Sequence, residues 1–194
     1  LLTTNHKTWS LDLWISNQDT LISLSHLSPT QTFNPQKGTI STSAELNGVK
    51  ITSTVCLHQI NNDSEMIINN IDLHNTNTSP ISFSFYIAIR PYSPEGISPI
   101  SSITYHSSGA FIIDNNLGLI LDQTPSNIVC TNNQDGDISD HFNHWEMILK
   151  TECPAHLASA FAQYKVILKE NESKSYTCKR PTTFGAHIIK GPTS

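Results

Sequence analysis

The stretch Ile81-Ser82-Phe83-Ser84-Phe85-Tyr86-Ile87-Ala88-Ile89 determines the fold class of this chain of 194 residues. Large apolar residues alternate with small ones, which is the period of a β-strand that buries one face. The face expected to fill a hydrophobic core carries Phe83, Phe85, Ile87 and Ile89. Tyr86, Ala88 and Arg90 then lie on the opposite face, with Arg90 where the strand ends.

The same alternation recurs along the rest of the chain. Runs of this kind precede the central strand at 9–15, 21–27, 39–46, 49–57 and 66–73, and follow it at 102–106, 110–113, 117–121 and 127–131. Asn47-Gly48 separates two of these runs, and Asn-Gly is a strong signal for a β-hairpin because both residues accept a positive φ. Residues 39–57 are therefore predicted to form a hairpin with a type I′ turn.

Two later segments could be read as helices. Residues 138–150 have weak helical spacing and fit either a short helix or the entry to a strand. Residues 156–169 are rich in alanine, but large and small residues alternate and the end is β-rich, so we predict a long strand, followed by another around Tyr176-Thr177-Cys178. The chain thus reads as an antiparallel β-sandwich of about twelve strands, with residues 1–194 as one domain.

Composition excludes two classes of partner. The formal net charge is −5 with only 11 Lys and Arg residues, and no basic run occurs, so nucleic acid is not an expected partner. No apolar stretch approaches the length of a membrane span, so a membrane is not an expected partner either. The chain begins with Leu1 and no charged-then-apolar leader, so we expect it to be a fragment of a larger multidomain protein.

Motifs for cofactors and metals are weak. The chain contains no Gly-x-Ser-x-Gly, Walker A or Gly-x-Gly-x-x-Gly motif. Residues 133–140 place oxygen-bearing side chains as a calcium loop does, but the spacing of an EF-hand is missing, and a solvated polar turn is the alternative. His141 and His144 are three residues apart, yet a third zinc ligand is lacking. No cofactor and no metal are predicted.

The four cysteines occur without a Cys-x-x-Cys pair, which excludes a zinc knuckle or thioredoxin-like motif. Cys56 and Cys130 stand in apolar, strand-like segments, so buried free thiols are expected. Two disulfides remain arithmetically feasible.

Two kinds of residue in the sequence bear on carbohydrate chemistry. Glycoside hydrolysis needs two carboxylates, and the sequence brings no pair together from the available acids, which include Asp12, Asp72, Glu95, Asp122, Glu146 and Glu152. Aromatic platforms pack on sugar C–H faces, and the candidates are Trp9, Trp14 and Trp145. Trp9 and Trp14 are separated by an odd number of residues, so they should face opposite sides of a strand and at least one should fill the core.

The segment after the central strand is the most distinctive one. Residues 86–100 run from a buried strand into a proline-punctuated turn, in which Pro94-Glu95-Gly96 suits a β-turn. One interpretation is a rigid sheet corner at which Arg90 donates to backbone carbonyls or to an acid. The other is a surface at which Arg90, Tyr92 and Glu95 dock another domain or line a substrate cleft.

Residues 86–100 resemble a segment in the N-terminal β-supersandwich of glycogen-debranching or glucoamylase-like glycoside hydrolases, and residues 5–14, 136–138 and 157–162 fit the same layout more loosely. The resemblance implies a supersandwich that precedes a six-hairpin (α/α)6 catalytic barrel in the same protein, with the catalytic carboxylates in the barrel. It therefore implies a non-catalytic accessory domain whose partner is that C-terminal catalytic domain.

The sequence is compatible with two other functions. A free-standing carbohydrate-binding or adhesive β-sandwich would have carbohydrate as its partner. A mutarotase-like catalytic sandwich would use a histidine and a carboxylate.

Overall fold

A computed structural model describes residues 9–17, 20–61, 64–93, 95–144 and 146–182. The described residues form two large sheets and a short ribbon, in which every strand pairing is antiparallel. The five-stranded sheet has the order β13 (Asn127–Thr131), β15 (Ser159–Leu168), β7 (Ile81–Arg90), β1 (Ser10–Asn17) and β2 (Thr20–Ser23).

The nine-stranded sheet forms the second layer. Its order is β14 (Lys150–Glu152), β10 (Ser102–His106), β11 (Ala110–Ile113), β12 (Asn116–Leu121), β16 (Ser173–Pro181), β6 (Ser64–Asn75), β5 (Val49–Asn61), β4 (Thr39–Leu46) and β3 (Thr30–Asn34). The ribbon consists of β8 (Tyr92–Ser93) and β9 (Gly96–Ile97). Two 3₁₀ turns, Leu24–Leu27 and Ile138–His141, are the helical elements of the described residues.

The predicted all-β antiparallel sandwich is confirmed, with sixteen strands in the described part of the chain where about twelve were expected. Residues 138–150 contain the second 3₁₀ turn, an irregular segment and the first residue of β14, so both alternatives hold in part. The alanine-rich segment is a strand, β15, as predicted. No helix long and apolar enough to cross a membrane occurs among the described residues.

The central strand β7 is buried on both faces. One face enters the main core between the two sheets, with Phe83, Phe85, Ile87 and Ile89. The other face joins a smaller cluster of Trp14, Tyr86, Ala88, Val129, Ile138 and Phe161. The predicted division of the two faces is confirmed, but the outer face is apolar near its middle because the 3₁₀ turn Ile138–His141 lies against it.

Trp9, directly before β1, and Trp14, within β1, point to opposite sides of the five-stranded sheet, as their spacing predicted. Trp9 is in the main core and Trp14 is in the smaller cluster, and both are almost fully buried. The Arg180 guanidinium carbon lies 3.7 Å from the centroid of the Trp9 ring, and its Nη1 donates to the Trp9 carbonyl at 3.0 Å. Both tryptophans therefore fill the interior and neither is an exposed platform; Trp145 lies outside the described residues.

The hairpin between β4 and β5 has the predicted turn. Asn47 and Gly48 have φ values of 50° and 76°, the left-handed values that a type I′ turn requires. A β-carbon at Gly48 would overlap the Asn77 side chain, whose Nδ2 donates to the Asn47 carbonyl at 3.1 Å. Gly48 is therefore required for its φ, and an alanine there would also displace the Asn77 side chain from its hydrogen bond to the Asn47 carbonyl.

We expect Gly48→Ala to lower the free energy of unfolding by more than about 2 kcal/mol, because the left-handed backbone alone costs an alanine about 1–2 kcal/mol. Gly38→Ala is the matched control, since Gly38 has a φ of 61° and open space around its would-be β-carbon. Urea denaturation of both variants measures the difference. Equal destabilisation by the two substitutions would contradict the steric role of Asn77.

Candidate functional site

Arg90 forms the centre of a charged and aromatic cluster at the end of β7. Its Nη2 donates to the Asp137 Oδ2 at 2.8 Å, and its Nη1 lies 3.6 Å from the Asp12 Oδ2. The guanidinium carbon also lies 4.9 Å from the Tyr92 ring centroid and 5.7 Å from that of Trp14. The predicted acid partner of Arg90 thus exists, and it is a pair of carboxylates.

Three different elements bring these groups together. In β1, Ser10 pairs with Arg90 and Asp12 pairs with Ala88, so the Asp12 side chain shares the outer face with Arg90. Asp137 caps the 3₁₀ turn Ile138–His141 and accepts from the Ser139 amide and hydroxyl at 2.9 and 2.7 Å. Its second oxygen is left for Arg90, so one carboxylate holds both the turn and the strand end.

Opposite pKa shifts distinguish the two carboxylates. Burial raises the pKa of Asp12 above its usual value, although the Arg90 guanidinium works in the other direction. Burial also acts to raise the pKa of Asp137, but the hydrogen bonds from Ser139 and the charge of Arg90 outweigh it, so the pKa of Asp137 is lowered. Asp137 is therefore the firmly ionised partner of Arg90.

The ribbon β8–β9 projects from this cluster. Tyr92 pairs with Ile97 and Ser93 pairs with Gly96, as expected for the predicted turn, although Pro94 itself lies outside the described residues. The Ser98 amide donates to the Pro91 carbonyl at 2.9 Å, and the Glu95 amide donates to the Ser93 Oγ at 3.3 Å. Tyr92 is 39% exposed and Ile97 is 66% exposed. The ribbon presents an aromatic and an aliphatic side chain on a braced backbone.

Oxygen-bearing side chains in and beside the candidate calcium loop, residues 133–140, accept hydrogen bonds from other groups of the protein. Besides Asp137, the Asn132 Oδ1 accepts from the Gln134 amide, and the Asn133 Oδ1 accepts from the Cys153 thiol at 3.2 Å. These contacts favour the polar-turn interpretation over a calcium loop. No group of three or more His, Cys, Asp or Glu residues that could hold a metal occurs within the described ranges.

The two histidines of this region lie close together. The ring centroids of His141 and His144 are 6.0 Å apart, and the His141 Nε2 is 2.8 Å from the Asp135 carbonyl oxygen. The contact to a backbone carbonyl is that of an ordinary polar histidine.

Most of the other candidate acids are held by separate partners. Asp72 accepts from the Ser175 hydroxyl, Asp122 pairs with Lys179 at 2.7 Å, and Glu152 pairs with Lys150 at 2.8 Å. Glu95 and Glu146 are exposed. The carboxylates that do come together, Asp12 and Asp137, share the Arg90 guanidinium. This arrangement is typical of a structural ion cluster. Sequence reasoning missed Asp137 as a partner of Arg90; its Asp-x-Ser capping pattern was the available signal.

All four cysteines are free thiols. Burial raises the pKa values of Cys130 and Cys178 to about 12 each. The Cys56 side chain is only half-buried. The expectation of a buried free thiol is confirmed for Cys130, whereas Cys56 is only partly covered.

Cys56 should react with a thiol reagent faster than Cys130 and Cys178 in the folded protein. At about pH 8 a thiol with a pKa near 12 is thiolate in only about one molecule in ten thousand, and the thiolate is the nucleophile. Mass spectrometry after timed alkylation measures the order, and denaturation in guanidinium chloride without a reductant should expose four reactive thiols. Fewer than four would reveal a disulfide.

Arg90→Met should lower the free energy of unfolding by about 1–3 kcal/mol, because it leaves the half-buried Asp12 carboxylate and the Asp137 carboxylate without their shared cation. Lys150→Met is the control, since the Lys150–Glu152 pair is solvent-exposed and such pairs contribute about 0–1 kcal/mol. Chemical denaturation compares the two variants. If Arg90→Met is no more destabilising than the control, the cluster does not anchor the end of β7.

Comparisons with known proteins identify a shared fold. No model of a protein family and no curated protein matches the chain. Among solved structures, one assigned as a kojibiose phosphorylase from the human microbiome aligns with a TM-score of 0.50 and 8% identity, over 93% of this chain and 25% of the other. A polysaccharide lyase aligns with a TM-score of 0.45 and 11% identity, over 90% of this chain and 26% of the other. The chain thus spans about a quarter of each of these proteins, and the likeness at such identities concerns the fold.

Proposed function

We propose that the chain is a non-catalytic accessory domain of a larger carbohydrate-active enzyme. The observation that carries the proposal is the alignment of 93% of the chain with only a quarter of a kojibiose phosphorylase chain. A fold that makes up one part of such an enzyme fits an accessory domain. The resemblance of residues 86–100 to glycogen-debranching or glucoamylase-like hydrolases supports an N-terminal position before an (α/α)6 catalytic barrel.

The ribbon β8–β9 is the proposed surface for docking that catalytic domain or for lining its substrate cleft. Tyr92 and Ile97 offer apolar area to a partner, and Glu95 at the turn offers a charge. The Arg90 cluster and the Ser98–Pro91 hydrogen bond brace the backbone of the ribbon. A braced surface loses little conformational entropy on contact, so more of its contact energy remains as affinity.

The intact protein that contains this chain tests the docking surface. Tyr92→Ala or Glu95→Ala should reduce kcat/KM on maltose or starch, or the affinity between the two domains, by at least about fivefold. A loss of affinity between the domains would be seen as separate melting of the two. Truncation of an interface anchor typically costs more than about 1 kcal/mol. The same substitutions should harm the melting temperature of the chain alone less than they impair the intact protein, because both side chains are at the surface.

Phe33→Ala and Glu170→Ala are the matched controls, because both residues are exposed and belong to other elements, Phe33 to β3 and Glu170 to the turn between β15 and β16. The proposed surface is wrong if the Tyr92 and Glu95 variants match these controls in kinetics and domain association. The isolated chain should hydrolyse neither starch, maltose nor aryl glucosides. Turnover that disappears on substitution of a single carboxylate would contradict the non-catalytic role.

A further inference from the structure

A second open surface lies on the outer face of the five-stranded sheet, at the end away from Arg90. It is a groove of about 830 Å³, within the volume range of small-molecule sites. Strands β1, β7 and β15 form its floor, and residues 142–144 together with Met147 line one wall. Its position at the far end of the sheet separates it from the ribbon β8–β9, so it does not depend on the proposed domain contact.

The floor of the groove is an ordered array of uncharged polar groups. The Gln163 amide nitrogen donates to the Ser84 Oγ and to the Tyr86 Oη, both at 3.1 Å. The Tyr86 Oη also lies 3.0 Å from the Ser16 Oγ and donates to the Phe142 carbonyl at 3.0 Å. Tyr86 thereby connects the floor to the wall. These groups are held in place before any ligand arrives, which reduces the ordering cost of binding.

Apolar side chains rise beside this polar floor. Phe142 packs against the smaller hydrophobic cluster and lines the groove, and Met147 is 55% exposed at the wall. Ile167, which is 71% exposed, stands on β15 and lines the groove from the floor side. The groove therefore combines hydroxyl and amide groups at its base with apolar surface at its margins.

The charges of the lining favour an uncharged ligand. Lys165 is the one lysine or arginine in the described lining, and that lining includes no Asp or Glu. A cationic ligand would find no carboxylate there, and one exposed lysine attracts an anion only weakly through water. His144 is the other titratable side chain that faces the groove.

We propose that this groove binds a neutral oligosaccharide. Sugar hydroxyls both donate and accept hydrogen bonds, as serine hydroxyls do, and the glutamine amide supplies both a donor and an acceptor. Sugar C–H faces can pack on Phe142, Met147 and Ile167. A peptide is the weaker fit, because extended peptides bind through main-chain groups at a sheet edge, whereas this floor is the face of β1, β7 and β15.

A neutral glycan array, followed by calorimetry of the purified chain with its best ligand and with maltoheptaose, tests the proposal. Ser82→Arg should weaken binding at least about tenfold, equivalent to about 1.4 kcal/mol. Ser82 lines the groove, its side chain is exposed, and an arginine there would fill the space above the floor. Thr32→Arg is the control, since Thr32 is an exposed strand residue on the other sheet.

Met147→Ala should also weaken binding, by about threefold or more, without disturbing the floor. Unchanged affinity in Ser82→Arg, no binding to any neutral glycan at millimolar concentration, or binding only to anionic polysaccharides such as alginate would each overturn the proposal. These measurements use sugar binding by the chain alone. Their failure is thus distinguishable from failure of the proposed accessory role, which is measured as activity and domain association of the intact protein.

Discussion

Burial of both faces of β7 is the constraint on which the rest of the structure depends. Phe85, Ile87 and Ile89 are fully buried in the main core, and Tyr86 and Ala88 are equally buried on the other side. Each buried aromatic or aliphatic side chain contributes about 1.5–3 kcal/mol through removal from water. The nine-stranded sheet covers the inner face of β7. The segment around Ile138 covers the outer face; it has no strand of its own and must be held by specific contacts.

The contacts that hold this covering segment lie at its two ends. At one end Asp137 caps the 3₁₀ turn and binds Arg90, and at the other the Phe142 carbonyl accepts from the Tyr86 hydroxyl. Between them Ile138 is buried against the sheet. Both anchors on β7 are outer-face residues of the same strand. The alternation that builds the core therefore also positions the groups that attach the covering segment.

Sequence reasoning succeeded where a strand has a buried face or a glycine with a required φ. The alternation in residues 81–89, the opposite faces of Trp9 and Trp14 and the Asn47-Gly48 turn are all local patterns. It missed β3, β8 and β9, and only the strand-entry alternative for residues 138–150 pointed to β14. β3 is exposed along its whole length, and the other three have only two or three residues, so backbone pairing alone defines them and no hydrophobic period marks them.

For the Arg90 cluster, the sequence predicts the kind of partner that Arg90 needs but not which residues supply it. An arginine at the end of a buried strand needs an acid or carbonyls, but Asp137 lies 47 residues along the chain and only the folded covering segment brings it within 2.8 Å. The groove was not foreseeable, because its floor takes single polar residues from β1, β7 and β15. An isolated serine on the outer face of a strand is what any half-exposed sheet would show, so no spacing distinguishes Ser16 or Ser84 before the strands are placed.

The electrostatics of the outer face follow from the distance between its two ends. Arg90 lies six residue steps along β7 from Ser84, which is about 20 Å at the rise of an extended strand. That is more than twice the Debye length of about 8 Å at physiological ionic strength, so the charges around Arg90 are largely screened at the groove. Arg90 is also balanced by Asp137, whose lowered pKa keeps it ionised. The polarity of the groove is therefore set by its own lining, and one face of one sheet holds a charged cluster at one end and an uncharged polar floor at the other.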